Sequence, residues 1–138
     1  MDRRLVFLDA NGWIALLNAS DALHSRADTT WRNLLKDSCL VVVTDWIIAE
    51  TGNGLSRTAA RTTFAKAARL LISDQRVVLV KIASDLLPAA LRLYEDRGDK
   101  TWGLVDCASF LVMRRYGIAD AFTSDRHFEQ ADFCCLLA

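Results

Sequence analysis

Three acidic residues stand inside apolar segments of this sequence, where charged side chains are unusual. Asp9 ends the run Leu5–Leu8, Glu50 follows an apolar stretch that starts at position 46, and Asp106 is the only charged residue between positions 104 and 113. A carboxylate removed from water is costly unless a cation or hydrogen-bond donors accompany it. Several such groups close together need protons or metal ions to offset their repulsion. The pattern therefore predicts a cation-binding site.

Each acid also has a purely structural alternative. Asp9 could cap a following helix through a backbone N–H, Glu50 could lie on a solvated helix face, and Asp106 could pair with a buried arginine. A fourth acid, Asp125, follows a short apolar segment and could simply form a turn. Asn11 is interpreted either as a helix cap or as a polar group that supports a metal ligand.

The residue types indicate which cation and which chemistry. The cysteines and histidines are not spaced as a ligand set, so carboxylate oxygens would bind the ion, and these favour Mg²⁺ or Mn²⁺. Such ions suit phosphodiester hydrolysis, because they activate water and offset charge on the attacked phosphate. Nucleotide-binding, zinc-peptidase and serine-hydrolase motifs are absent from the sequence. Arg126 and His127 are candidates for substrate contact, although local packing is the simpler interpretation of His127.

The elements that must position these acids alternate along the chain. Continuous apolar runs at Leu5–Leu8, 40–43 and Val77–Val80 predict strands buried on both faces of a parallel sheet, and two short strands follow at about 121–123 and 134–137. Helices are predicted between them, at 12–18, 24–36, 46–55, 57–73, 84–97 and 104–116. We expect a three-layer α/β/α domain with a central parallel sheet of about five strands.

This architecture brings the acids together. Ligands of open parallel sheets bind beyond the carboxyl ends of the strands, where the strand order reverses. Asp9, Asp125 and the start of the Asp106 helix would all lie at that edge. If Thr101 caps this helix, Asp106 should lie about one turn inside it, where capping would explain an acid poorly.

Composition bounds the other possibilities. The chain has 138 residues, 17 basic and 17 acidic side chains, and 52% apolar residues, which suits one domain over residues 1–138. The four cysteines show no C-x-x-C spacing, and reduced thiols predict a cytoplasmic protein. The apolar run after Arg4 is too short for a secretory signal, and no segment is long enough to span a membrane.

The zero formal charge argues against holding nucleic acid by a general basic field. Local positive charge remains available. The candidates are Arg57, Arg61 and Arg69 on one side of a predicted helix, and Arg114, Arg115 and Arg126 near the acidic segments, with solvated helix faces as the simpler interpretation.

Four segments resemble the successive blocks of PIN-domain nucleases, particularly the VapC-type toxins of toxin–antitoxin pairs. They are Leu5-Val-Phe-Leu-Asp9-Ala-Asn11, Thr44-Asp-Trp-Ile-Ile-Ala-Glu50-Thr, Trp102-Gly-Leu-Val-Asp106-Cys-Ala-Ser-Phe110 and Thr123-Ser-Asp125-Arg-His-Phe128. The blocks span nearly the whole chain in the family's order, and the last two together are quite specific.

The resemblance implies a metal-dependent endoribonuclease that binds Mg²⁺ or Mn²⁺ in a central acidic pocket. Asp9 and Asp106 would be the principal metal ligands, and Glu50 and Asp125 would complete the pocket. All four acids would be catalytic, and Asn11 and Thr123 would support them. The partners implied are RNA, a cognate antitoxin whose tail occupies a groove of the nuclease, and a second copy of the chain.

Two positions depart from the family pattern. Ala10 stands where members often carry Thr or Ser, and Asp132 stands where the common Ala-Gly-Phe has glycine. These departures keep open a catalytically silent module that binds a partner protein or nucleic acid. A haloacid-dehalogenase-like phosphatase is a weaker alternative, because Asn11 stands where that family needs a second aspartate.

Overall fold

A computed structural model describes residues 3–138 of the chain. Strands and helices alternate in this order: β1 (Leu5–Leu8), α1 (Ala10–Leu17), α2 (His24–Lys36), β2 (Leu40–Thr44), α3 (Asp45–Leu55), α4 (Arg61–Ser73), β3 (Val77–Val80), α5 (Leu86–Asp96), α6 (Leu104–Tyr116), β4 (Asp120–Phe122), α7 (Arg126–Gln130) and β5 (Cys134–Cys135).

The five strands form one parallel sheet in the order β3-β2-β1-β4-β5. Helices α1 to α4 contact one another, and α5 to α7 contact one another, so the sheet lies between two helical layers. The predicted α/β/α architecture with five parallel strands is confirmed. The strand order reverses between β1 and β4, whose registers pair Phe7 with Ala121 and Leu8 with Phe122. The carboxyl ends of these two strands therefore flank the expected ligand crevice.

Aromatic rings fix the helices on one side of this crevice. Phe110 of α6 packs edge-to-face on Phe128 of α7 with ring centroids 5.0 Å apart, and on Trp102 at 4.9 Å. Phe128 also lies 6.3 Å from Phe7 of β1. All three phenylalanines are fully buried. Each contributes about 1.5–3 kcal/mol of apolar burial, so α6 and α7 are held firmly against the central strand.

Several predicted boundaries are wrong. The helix expected at 57–73 begins at Arg61, because Thr58 forms a turn: its hydroxyl donates to the Leu55 carbonyl at 2.8 Å and accepts from the Ala60 N–H at 3.1 Å. The helix expected at 84–97 is Leu86–Asp96, and the last strand is two residues long. The five-residue helix α7 was not predicted.

None of the helices in the described part of the chain is long and apolar enough to cross a membrane. Cys39 and Cys107 are buried, Cys134 is exposed, and no disulfide forms among residues 3–138.

Candidate metal centre

Asp9 leaves the carboxyl end of the central strand and is almost completely buried, with 3% of its surface exposed. It occupies the N-cap position of α1, yet its side chain makes no capping hydrogen bond. Its carboxylate instead accepts a hydrogen bond from the Thr123 hydroxyl at 2.8 Å. Burial raises the pKa of Asp9 to about 7, the Thr123 hydrogen bond opposes that rise, and the charges of Asp106 and Glu50 add to it.

Thr123 and Asn11 join the ends of the two neighbouring strands. Thr123 is buried directly after β4, and its hydroxyl lies 3.1 Å from Asn11 Oδ1 and accepts from the Asp125 N–H at 3.0 Å. Asn11 Oδ1 also accepts from the backbone N–H of Ser124 at 2.8 Å and from its hydroxyl at 3.1 Å. Asn11 therefore holds the loop after β4 rather than capping a helix.

Asp106 lies in the first turn of α6, not one turn inside it. The N-cap is Gly103 rather than Thr101, and the Gly103 N–H donates to Asp106 Oδ2 at 3.0 Å. Helix capping therefore explains part of the position of Asp106, contrary to expectation. The arginine considered as a partner is absent: within residues 3–138 the only basic side chain paired with Asp106 is His127.

Asp125 and His127 lie at the start of α7, beside Asp106. Asp125 caps this helix by accepting from the His127 N–H at 2.9 Å, so the turn interpretation is also correct. His127 Nδ1 lies 3.0 Å from Asp106 Oδ2 and 3.5 Å from Asp125 Oδ1. One ligand atom from each of these three residues lies within 4.8 Å of the other two. Local packing, the simpler interpretation of His127, misses these contacts.

Glu50 lies in the second half of α3 and is exposed, as the solvated-face alternative predicts. The pKa of its carboxyl nevertheless responds to the neighbouring acids. Partial desolvation raises the pKa of Glu50, and the charges of Asp106 and Asp125 raise it further. Glu50 is therefore exposed but near enough for the charges of Asp106 and Asp125 to act on it, whereas Asp9 is buried; neither belongs to the group of ligand atoms formed by Asp106, Asp125 and His127.

The arginines are distributed differently from the acids. Arg126 is exposed next to Asp125. Arg114 and Arg115 lie near the far end of α6, roughly 12 Å along the helix axis from Asp106. Arg115 pairs with Asp85 at 3.0 Å. Arg57 precedes α4 and does not share a helix with Arg61 and Arg69, so that predicted basic face is incomplete.

The pocket fits a divalent cation. No lysine or arginine of the described chain forms an ion pair with any of the four acids, Asp9, Glu50, Asp106 and Asp125. Asp9 is the most telling member, because its buried carboxyl has a hydroxyl partner and no cation. Carboxylate oxygens with one open, solvated side are the donor set that Mg²⁺ and Mn²⁺ take in proteins.

Sequence reasoning missed three contributors. Thr101 Oγ1 lies 3.2 Å from His127 Nε2, Gly103 donates through its backbone N–H, and Ser124 donates through both its backbone N–H and its hydroxyl. Backbone donors leave no residue-type signal. The spacing of Asp125 and His127, two residues apart after a strand, is the one sequence signal that could have placed the imidazole beside a carboxylate.

An apolar groove lies away from the acids, between α1, α2, α4 and the start of β3. Trp13, Leu16, Trp31, Leu70 and Leu71 are among its lining residues. A second apolar surface follows one side of α5, where Leu87, Leu91 and Tyr94 are 40%, 49% and 53% exposed.

Known proteins resemble the chain over almost its whole length. The family model of the PIN domain matches residues 6–133. The 23S rRNA-specific endonuclease VapC20 of Mycobacterium tuberculosis, in two strains, is 31% identical over 130 residues, which cover 94% of this chain and 95% of that protein.

Solved structures agree. The crystal structure of VapC20 from Mycobacterium tuberculosis, described as a sarcin-ricin loop cleaving toxin, matches with a TM-score of 0.83 and 28% identity over 93% of this chain and 95% of that one. FitAcB from Neisseria gonorrhoeae matches with a TM-score of 0.65 and 15% identity over 94% and 95% of the two chains, which is a likeness of fold.

Proposed function

The chain belongs to the PIN-domain family, and we propose that Asp9, Glu50, Asp106 and Asp125 bind the metal with which it hydrolyses RNA as the toxin of a toxin–antitoxin pair. As a VapC-type relative, the chain is a metal-dependent endoribonuclease. The observation that carries the site assignment is Asp9, a buried carboxyl that no lysine or arginine among residues 3–138 pairs with and whose pKa the charges of Asp106 and Glu50 help to raise.

Each residue has a separate task in this proposal. Asp9 and Asp106 are the principal ligands, and Asp125 and Glu50 complete the site at its open side. Thr123 directs one oxygen of Asp9 through its hydroxyl, which replaces the orienting group that Ala10 cannot provide. When bound, Mg²⁺ or Mn²⁺ supplies activated water and offsets the negative charge on the attacked phosphate.

We propose ribosomal RNA as the substrate class. The support is that the VapC20 relatives, named for cleavage of 23S rRNA, align with 94% of this chain. The proposed nuclease domain is residues 1–138, and the proposed place of action is the cytoplasm.

Two protein partners complete the proposal. A cognate antitoxin would cover apolar surface in the groove between α1, α2 and α4, whose lining includes two tryptophans. A second copy of the chain would cover the stripe of Leu87, Leu91 and Tyr94 on α5. These residues recur every three to four positions, so they face one way, and a two-fold axis would pair the stripe with itself.

The decisive experiment compares the wild type with Asp106→Asn. We expect the wild type to cut ribosomal RNA in Mg²⁺ or Mn²⁺ and to stop in excess chelator, as primer extension would show. Asp106→Asn keeps the size and capping oxygen of the side chain but loses its charge, so cleavage should fall at least 100-fold while the circular dichroism spectrum stays unchanged.

The matched control is Asp28→Asn, which removes an exposed carboxylate that pairs with Arg32 on α2. That variant should cut as the wild type does. Cleavage by Asp106→Asn at the wild-type rate, or cleavage in excess chelator, contradicts the proposed site.

A further inference from the structure

His127 is the one basic side chain of the described chain that reaches the proposed metal ligands. Its Nδ1 atom lies 3.0 Å from Asp106 Oδ2 and 3.5 Å from Asp125 Oδ1. Two ligand atoms bound at right angles to an ion about 2.1 Å away lie about 3.0 Å apart. The 3.0 Å between His127 Nδ1 and Asp106 Oδ2 therefore matches the spacing of neighbouring ligands on one ion as well as that of a hydrogen bond.

The second ring nitrogen has a partner that suits this role. Thr101 Oγ1 lies 3.2 Å from His127 Nε2 and can accept a proton from it. Histidines that bind metals usually donate their other ring N–H to an oxygen in this way, which fixes the tautomer. In that tautomer the Nδ1 lone pair and two carboxylates converge, and a cation among them would satisfy all three acceptors.

We propose that His127 binds the divalent ion directly through Nδ1, together with Asp106 and Asp125. The inference rests on the proposed function, since it concerns the same pocket. Mg²⁺ prefers oxygen ligands, whereas first-row transition ions also accept imidazole. His127 therefore biases the pocket from Mg²⁺ toward Mn²⁺, while the four acids alone would discriminate less.

The competing arrangement is a hydrogen bond only. The Nδ1–H group would donate to Asp106 Oδ2, and the Thr101 hydroxyl would donate to Nε2. His127 would then orient Asp106 from behind and would not touch the ion. The two arrangements differ in one measurable feature, which is a nitrogen atom bonded to the metal.

Pulsed electron paramagnetic resonance of bound Mn²⁺ detects such a nitrogen. We expect the full-length chain with Mn²⁺ to show the ¹⁴N modulation of a coordinated imidazole, and His127→Gln to lose it. His24→Gln is the matched control, because His24 is the other histidine of the sequence and its Nδ1 lies 2.9 Å from the Ala15 carbonyl. That variant should keep the full signal.

Isotopic labelling tests the same contact without changing His127. In His24→Gln protein grown with ¹⁵N-histidine, His127 is the sole labelled residue, so the modulation should change from ¹⁴N to ¹⁵N. Calorimetric titration should also show that His127→Gln lowers the ratio of Mn²⁺ to Mg²⁺ affinity by about tenfold.

The outcomes separate this inference from the proposed function. Mn²⁺ that binds without nitrogen modulation, or modulation that persists unchanged in His127→Gln, overturns the role of His127 and leaves the acidic site standing. If the wild-type chain binds no Mn²⁺ at all, the proposed metal site fails together with the inference.

Discussion

Asp9 bears the largest electrostatic cost in the pocket when no metal is bound. It lies at the carboxyl end of β1 with 3% of its surface exposed, and desolvation is the main cause of its raised pKa of about 7. Because the ordinary value is 3.8, the folded chain retains a proton on Asp9 that the unfolded chain has already lost at moderately acidic pH.

This difference makes stability depend on pH. Between about pH 4 and pH 7 the folded state binds more protons than the unfolded state, so the free energy of unfolding of the metal-free chain falls as pH rises. Above pH 7 both states are ionised and the full penalty, on the order of a few kcal/mol, is present. Asp9→Asn should remove this slope, so the variant should be more stable than the wild type at pH 8 in chelator.

Urea unfolding at pH 5 and pH 8 measures the effect. The quantity of interest is the change in unfolding free energy between the two pH values in the wild type minus that in Asp9→Asn, because titrating groups that do not interact with Asp9 cancel in the difference. Equal pH dependence in the two proteins would show that the Asp9 carboxyl is not desolvated as the structure indicates.

At the residue scale, the sequence predicted the location of acidic residues that stand among apolar neighbours. Asp9 and Asp106 conflict with apolar neighbours, and the structure places both at the expected edge of the sheet. Gly103 and Thr101 carry no such conflict. Their contributions depend on which residue caps α6, which is Gly103 rather than Thr101, and a difference of two residues in the cap lies beyond what local pattern determines.

At the element scale, α1 approaches β4 closely at Gly12. A Cβ atom at Gly12 would lie 2.5 Å from Phe122 Cδ1 and 2.8 Å from the Phe122 carbonyl carbon, and it would clash with the carbonyl oxygen itself. Two of these three atoms belong to the backbone of β4, which pairs with a strand on each side, so β4 cannot easily move away from α1. The same approach brings Asn11 of α1 to the loop that carries Thr123.

We therefore expect Gly12→Ala to destabilise the protein by about 2–4 kcal/mol through overpacking, despite the higher helix propensity of alanine. Thermal unfolding monitored by circular dichroism provides the measurement. Gly98→Ala is the control, because no atom lies within 4 Å of a Cβ built there and it should leave the melting temperature nearly unchanged. Equal melting temperatures for both variants would contradict the close packing of α1 on β4.

Element prediction worked where hydrophobic runs are long or continuous. Three elements have the predicted bounds: Leu5–Leu8, which is one continuous apolar run, and His24–Lys36 and Leu104–Tyr116, in which apolar residues recur at helical spacing. Helix α7 has five residues, too few to show a period, and the Asp125 cap and tertiary burial of Phe128 hold it. Asp132 has a φ of 71°, in the left-handed region, where the family pattern has glycine.

At the scale of the whole molecule, the even balance of charge conceals an uneven distribution. Of the 17 acidic side chains, four belong to the pocket, which leaves 13 against 17 basic side chains elsewhere. Divalent ions in the pocket would offset its negative charge. The attraction of the molecule for RNA should therefore depend on bound metal, which agrees with a metal-dependent nuclease and with the absence of a general basic surface.

The apolar stripe on α5 leads to a prediction about assembly. Leu91 is 49% exposed in the middle of the stripe. In the proposed dimer, a two-fold axis would bring Leu91 of one copy close to Leu91 of the other. Leu91→Glu would therefore place two like charges together and should convert the dimer to a monomer. Sedimentation velocity of the metal-free protein measures this directly.

Ile72→Glu is the matched control for that substitution. Ile72 is 52% exposed on α4, outside the stripe, and its substitution should leave the dimer intact. A monomeric wild type, or a dimer that survives Leu91→Glu, contradicts pairing through α5.

The four acids of the pocket come from widely separated parts of the chain, after β1, within α3, at the start of α6 and after β4. Because the chain is synthesised from its N-terminus, Asp9 is made first, and Asp125 follows 116 residues later. Strand β4 also cannot pair with β1 until β4 has been synthesised. A nascent chain that has not yet reached Asp125 therefore lacks one of the four proposed metal ligands, so the order of synthesis delays assembly of the proposed site.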